Sequence, residues 1–136
     1  MFHCHYLFIR YLYLNYSMNI SQTLSVLKKS KFRSSFHLGS TEIEIINKKG
    51  METIRKHALE LLEKRIKIKP KNDGRQTPFK GHPVFVAQHA TATCCRKCIQ
   101  KWHFLPKDRP LTTEEISSLA NLITIWIESD YANQKA

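Results

Sequence analysis

In "METIRKHALELLEKRI", residues 51–66, the apolar residues Ile54, Ala58, Leu61, Leu62 and Ile66 recur at spacings of three and four. On a helix of 3.6 residues per turn this spacing gathers them into one stripe and leaves Arg55, Lys56, Glu60 and Glu63 in water. A second stripe, Ile116, Leu119, Ala120, Ile123, Trp126 and Ile127, follows Thr112 and Glu115, which are spaced as a capping box and open a helix expected to run to about Asp130. Each stripe is unstable until something apolar covers it. The pair therefore predicts helices sharing one core, and this requirement constrains the chain more than any other feature.

The stretches between fit that frame. "STEIEIINKKG" begins with Ser40 and Thr41, places acids in its first turn and lysines in its last, and stops at Gly50, the polarity of a short helix running into the next as a helical hairpin. "KIKPKNDGRQTPFKGHP" breaks the pattern with Pro70, Asn72-Asp73-Gly74, Pro78, Gly81 and Pro83 and reads as a long basic loop. "PVFVAQ" has the composition of a short buried strand, and its periodicity fits the start of a helix equally well. Thr93 is placed to cap a helix through "CCRKCIQKW". The expected architecture is mainly α, a small single-domain helical fold, with a short strand or hairpin before the cysteine-rich helix as the open alternative.

The 136 residues suffice for one domain burying roughly two-thirds of its unfolded surface. "MFHCHYLFIRYLYLNYS" stands apart: it is shorter than a membrane span, is interrupted by Arg10 and Asn15, and lacks a basic start or small-residue cleavage site. We expect residues 1–17 to be a leader upstream of a start at Met18, with a short membrane-associating segment as the alternative. Residues 18–29 then form an extension, 30–130 the globular domain and 131–136 a tail. No membrane association is expected of the main domain, and the sequence leaves the oligomeric state open.

Between Lys28 and Arg109 there are 20 Lys and Arg against 7 Asp and Glu, within a formal net charge of +11. Such an excess favours polyanions, either nucleic acid or a phosphorylated ligand. Arg75, Gln76, Lys80, Arg96 and Lys97 are the candidate binding residues. Nothing resembles a phosphate-binding glycine loop.

"HPVFVAQHATATCCRKCIQKWH" holds the chemistry. Three histidines, His82, His89 and His103, and three of four cysteines, Cys94, Cys95 and Cys98, fall within 22 residues. On a continuous helix the cysteines share a face about 100° wide, while His103 joins them only if the helix ends near Trp102. Zinc takes four tetrahedral thiolate or imidazole ligands, and Cys95, Cys98 and His103 with Cys94, His89 or His82 would supply them. Alternatively, the Cys94, Cys95, Cys98, His89 and His103 cluster serves a small enzyme: a three-ligand metal keeps an open position for water, or Cys94 is a nucleophile with His89 as base. The helix dipole, Arg96 and Lys97 would favour the thiolates of Cys94 and Cys95, and Asn72, Asp73, Gln76 and Gln88 would line the pocket. A third reading makes the cysteines small core residues against Ala90, Thr91 and Ala92. Crowded, unpaired cysteines suit a reducing, cytoplasmic setting. His57 and His37 read as edge-of-core and surface residues, and Trp102 and Trp126 as core.

"SKFRSSFHL", "GMETIRKHA", "NDGRQTPFKGHPVFVAQHATATCCRKCIQKWH" and the "LTTEE" helix start together resemble the family of short bacterial proteins described as domain of unknown function 4186, from about Ser30 to Ile127. The resemblance implies a small cytosolic protein and no particular activity. The family pattern carries glycine where this chain has Lys97 and Phe104, which implies a tighter turn after Trp102 in relatives.

Overall fold

The computed structural model describes residues 19–135, all of whose regular elements are helices. Residues 19–29 form α1, and α2 (Lys31–Ser34), α3 (Ser40–Lys49), α4 (Met51–Arg65), α5 (Pro83–Ala90), α6 (Arg96–His103) and α7 (Thr113–Lys135) follow. The expectations for residues 1–17 lie outside the described residues. No helix among the described residues is long and apolar enough to cross a membrane.

The two stripes meet as their periodicity requires. Ile54, Ala58, Leu62 and Ile66 of α4 and Ile116, Leu119, Ala120, Ile123 and Ile127 of α7 are buried in a single cluster, with Leu61 and Trp126 packed against its edge. Burying an isoleucine or leucine side chain stabilises by about 1.5–3 kcal/mol, and these two helices contribute more than half of the residues in the cluster. Thr112 accepts from Glu115 N at 3.1 Å while the Glu115 carboxylate accepts from Thr112 N at 2.8 Å, closing the expected capping box. α7 continues past Asp130 to Lys135. The extra turn is held where Gln134 donates to Leu38 O at 2.8 Å. Asp130 accepts from Leu38 N and meets exposed His37 at 2.9 Å. α3 and α4 join at the single residue Gly50, whose φ of 81° is a conformation open chiefly to glycine.

The strand alternative before the cysteines gives way to α5. Pro83 occupies its first turn, where a missing N–H costs nothing, and His82 caps it by accepting from Val84 N at 3.0 Å. Val84, Val86, Ala87, Gln88, His89 and Ala90 are all buried. With only Phe85 of this helix half-buried, it has no solvated polar face, and hence no period of 3.6 to read.

The other correction concerns α6. Its cap is Cys95, not Thr93. Thr93 N instead closes the preceding turn by donating to Gln88 O at 2.8 Å, and Ala92 passes through the left-handed region at φ 58°. Asp73 then caps the new helix from the loop, accepting from Arg96 N and Lys97 N at 3.0 Å each. At the other end Phe104 stands at φ 60° and is 85% exposed. A glycine adopts that conformation without strain, so the family glycine implied at this position has a physical reason.

Arg96 is fully buried, at 0% exposure. Its guanidinium donates to Ile66 O (3.4 Å) and Lys67 O (2.6 Å) at the end of α4, and to Pro106 O (2.6 Å) and Arg109 O (2.9 Å) in the α6–α7 connection. Arg96→Ala orphans these acceptors and is expected to destabilise the protein by about 3–5 kcal/mol in chemical denaturation. Arg96→Lys should recover little, because a compact ammonium cannot span the same fork of acceptors. A lysine variant as stable as the parent would show that the charge, and not the fork, is what matters.

Candidate metal–thiolate site

Cys94 and Cys95 lie just ahead of α6, Cys95 on extended backbone, and Cys98 is on its first turn. A cap residue and the third helical residue face one another across the first turn, so Cys98 N donates to Cys95 Sγ at 3.5 Å. Thr77 of the basic loop fixes the preceding residue by donating its hydroxyl to Cys94 O at 2.7 Å. The three sulfurs end within 4.8 Å of one another, all as free thiols. Among the described residues these three side chains form the group close enough to hold a metal ion.

Sequence reasoning missed Arg33, which comes from α2 to sit on this cluster. Its guanidinium donates to Cys98 Sγ at 3.2 Å, to Cys94 Sγ at 3.7 Å and to His89 O at 2.7 Å. Hydrogen bonds from Cys94 and Cys95, reinforced by Arg33, hold the Cys98 thiol far below the ordinary range despite its burial. The contacts with Cys95 and Cys98, together with burial, push Cys94 far up. The arginine thus places a positive charge directly against the sulfur whose thiolate form is the more favoured. Arg33 stands 61 and 65 residues from the sulfurs it meets, a separation no local spacing rule spans. Its only trace in the sequence is its place in the "SKFRSSFHL" string of the family resemblance.

The histidines do not join the sulfurs. His89 Nε2 donates to Thr77 O at 3.1 Å and His103 Nε2 donates to Thr91 O at 2.8 Å. A carbonyl only accepts, so both Nε2 atoms carry protons, and burial lowers the pKa of both imidazoles. α6 does end at His103, close to the expected stop, yet its imidazole turns back to the α5–α6 turn. His89 instead forms an aromatic stack with Phe79, ring centres 4.2 Å apart, and Phe36, 5.4 Å apart.

His82 is not part of the cysteine group and faces His57 of α4. Its Nδ1 accepts from Val84 N, so its proton sits on Nε2, which donates to His57 Nδ1 at 3.0 Å. The edge-of-core His57 is thus one half of a histidine pair.

The expected binding residues also separate. Arg96 is interior, so it cannot belong to a surface that meets a ligand. The Gln76 amide is engaged within the loop, accepting from Gly74 N and donating to Asp73 at 2.7 Å each. Arg75, Lys80 and Lys97 are exposed. Of the polar residues assigned to a pocket, Asp73 caps α6 and Gln88 donates to Thr93 O at 3.2 Å. A wide groove of about 870 Å³ lies elsewhere, bounded by Ile20, Val26, Trp102, Phe104, Leu119 and Leu122. Trp102 is half-buried there and its ring lies 5.9 Å from the Arg33 guanidinium.

Burial, with repulsion from His57 and Lys49, pushes His82 from 6.5 to about 4. The unfolded imidazole takes up its proton near pH 6.5 and the folded one only near 4, so stability present above 6.5 is lost as pH falls through that window. The ring is half-exposed, and solvent screening reduces the effect to about 1–2 kcal/mol. His82→Asn keeps a capping side chain and removes the titration. Urea denaturation at pH 7 and pH 5 should therefore show a smaller acid loss in this variant than in the parent, and equal losses would refute the assignment.

The family described as Domain of unknown function (DUF4186) matches residues 21–128. No solved structure matches the chain.

Proposed function

We propose that this chain, which belongs to the DUF4186 family, is a metal–thiolate module in which Cys94, Cys95 and Cys98 hold one zinc-type ion beside a basic face that binds nucleic acid or another phosphate-rich ligand. The observation that carries the reading is the convergence of three free sulfurs to within 4.8 Å on backbone anchored by Thr77 and Asp73. Zinc–sulfur bonds of about 2.3 Å put tetrahedral thiolates about 3.8 Å apart, so closure asks for a contraction of at most about 1 Å. Soft thiolates suit zinc over hard cations. Three thiolates around a divalent ion leave one negative charge, which the Arg33 guanidinium balances. Its N–H groups, with Cys98 N–H, are the donors that orient metal-bound sulfur.

With no histidine turned toward the sulfurs, the fourth coordination position falls to water or to a group of the bound ligand. The ion would polarise what it binds there and lock the turn between α5 and α6. Arg75, Lys80 and Lys97 supply the exposed positive charge of the ligand face. A reducing cytoplasm suits three free thiols.

A thiol enzyme is the second reading, and the Arg33 contact favours it only in altered form. Its nucleophile would be Cys98, whose thiol is shifted down beside Arg33, and not Cys94, whose thiol is shifted up, and His89 Nε2, already donating to Thr77 O, is poorly set to act as base.

Elemental analysis of untagged protein should find about one zinc-type ion per chain, lost in Cys98→Ser. Chelation should lower stability by about 3 kcal/mol where the free ion stood at a hundredfold its dissociation constant. Protein that stays metal-free after incubation with zinc, melts identically with and without chelator, and is alkylated at Cys98 regardless of zinc would transfer support to the thiol reading.

A further inference from the structure

The surface next to the cysteines is aromatic as well as basic. Phe79 is 62% exposed and Phe32 is 55% exposed, unusual values for phenylalanine in a protein with a well-filled core. Both rings lie against Phe36, Phe32 edge-on at 5.1 Å and Phe79 nearly parallel at 6.2 Å. One face of Phe79 is covered by His89, so its exposure belongs to the other. The Arg33 guanidinium sits 5.1 Å from the Phe32 ring and joins this patch to the sulfurs.

The two chain segments that carry these rings are strongly basic. Residues 28–41 contain Lys28, Lys29, Lys31 and Arg33 and no Asp or Glu. Residues 67–81 contain Lys67, Lys69, Lys71, Arg75 and Lys80 against Asp73 alone, and that carboxylate is committed to the start of α6. Lys31 and Lys80 adjoin Phe32 and Phe79 directly in the chain and are exposed. Lysine is depleted where proteins bury their surfaces against one another, whereas flat exposed rings flanked by lysines are how base faces and phosphates are met together.

We infer that this face binds single-stranded nucleic acid, with bases stacked on Phe32 and Phe79 and phosphates held by the lysines beside them. The inference rests on the polyanion half of the proposed function and names its ligand. A duplex hides its base faces and offers nothing to the two rings, so the preference for single strands follows from stacking.

The test is fluorescence anisotropy on zinc-supplied full-length protein with labelled oligo-dT and oligo-U of about 15 nucleotides, a length within known site sizes, beside a duplex of the same length. The expected result is tighter binding to one or both single strands than to duplex, weakening steeply with salt. Phe79→Ala and Phe32→Ala should each weaken binding about tenfold, and Phe79→Tyr should retain it. Thermal melting of each variant checks the fold, and Phe32 on α2 gives an independent reading should Phe79→Ala disturb His89. Salt-sensitive binding that ignores both alanine substitutions and does not prefer single strands would overturn the stacking inference while leaving the polyanion reading in place. No binding at low salt would overturn both. A dimer split by Phe79→Ala, with no affinity for either nucleic acid, would assign the face to a second copy of the chain.

Discussion

The Arg96 side chain carries a positive charge into the interior and is met there by carbonyl oxygens rather than by a carboxylate. Those oxygens belong to the end of α4 and to the connection between α6 and α7, segments that the helix stripes alone leave unattached. Leu111 N donating to Lys67 O at 2.9 Å ties the same two segments by their backbones. A guanidinium reaches all of these acceptors because its donors form a rigid planar fork. The cost of burying it is seen at Nε, which has no partner. Since Arg96 is also the first residue of α6, the clamp and the Asp73 cap together fix where that helix starts, and with it the position of the three sulfurs.

Two buried arginines therefore do different work on either side of one turn. Arg96 finds only neutral dipoles and organises backbone. Arg33 finds polarisable sulfur and brings a positive charge against Cys98 and Cys94. Neither contributes a free charge at the surface, so part of the basic excess in the middle of the chain is structural. The exposed remainder is spread over several helices, and part of it, Lys31, Lys69, Lys71, Arg75 and Lys80, lies on α2 and the long loop, the elements that also present Phe32 and Phe79.

Features of the fold that depend on short-range spacing were legible in the sequence. The α4 and α7 stripes, the Thr112–Glu115 box and the Gly50 stop involve residues three or four apart, where helix geometry converts spacing directly into position. The family was legible from the long central motif. α5 was ambiguous because nearly complete burial removes the solvated polar face that makes a helix visible. The cap of α6 moved from Thr93 to Cys95 because Thr93 is taken by the turn that closes α5. The histidines looked like ligands by proximity along the chain, and each instead satisfies a carbonyl or another imidazole of a packed neighbour.

By itself the sequence determined a helical protein with one core, a cluster of three cysteines in one turn, and a strong positive charge beside it. Those properties follow from composition and from local periodicity. What only the tertiary structure decided is the company those groups keep: sulfurs with a distant arginine, histidines with carbonyls, Arg96 inside and Phe32 and Phe79 outside. The reason is physical. A buried polar group must find a partner, the partner can come from anywhere in the chain, and only the packing of α4 on α7 and of the loop over α5 and α6 determines which one arrives.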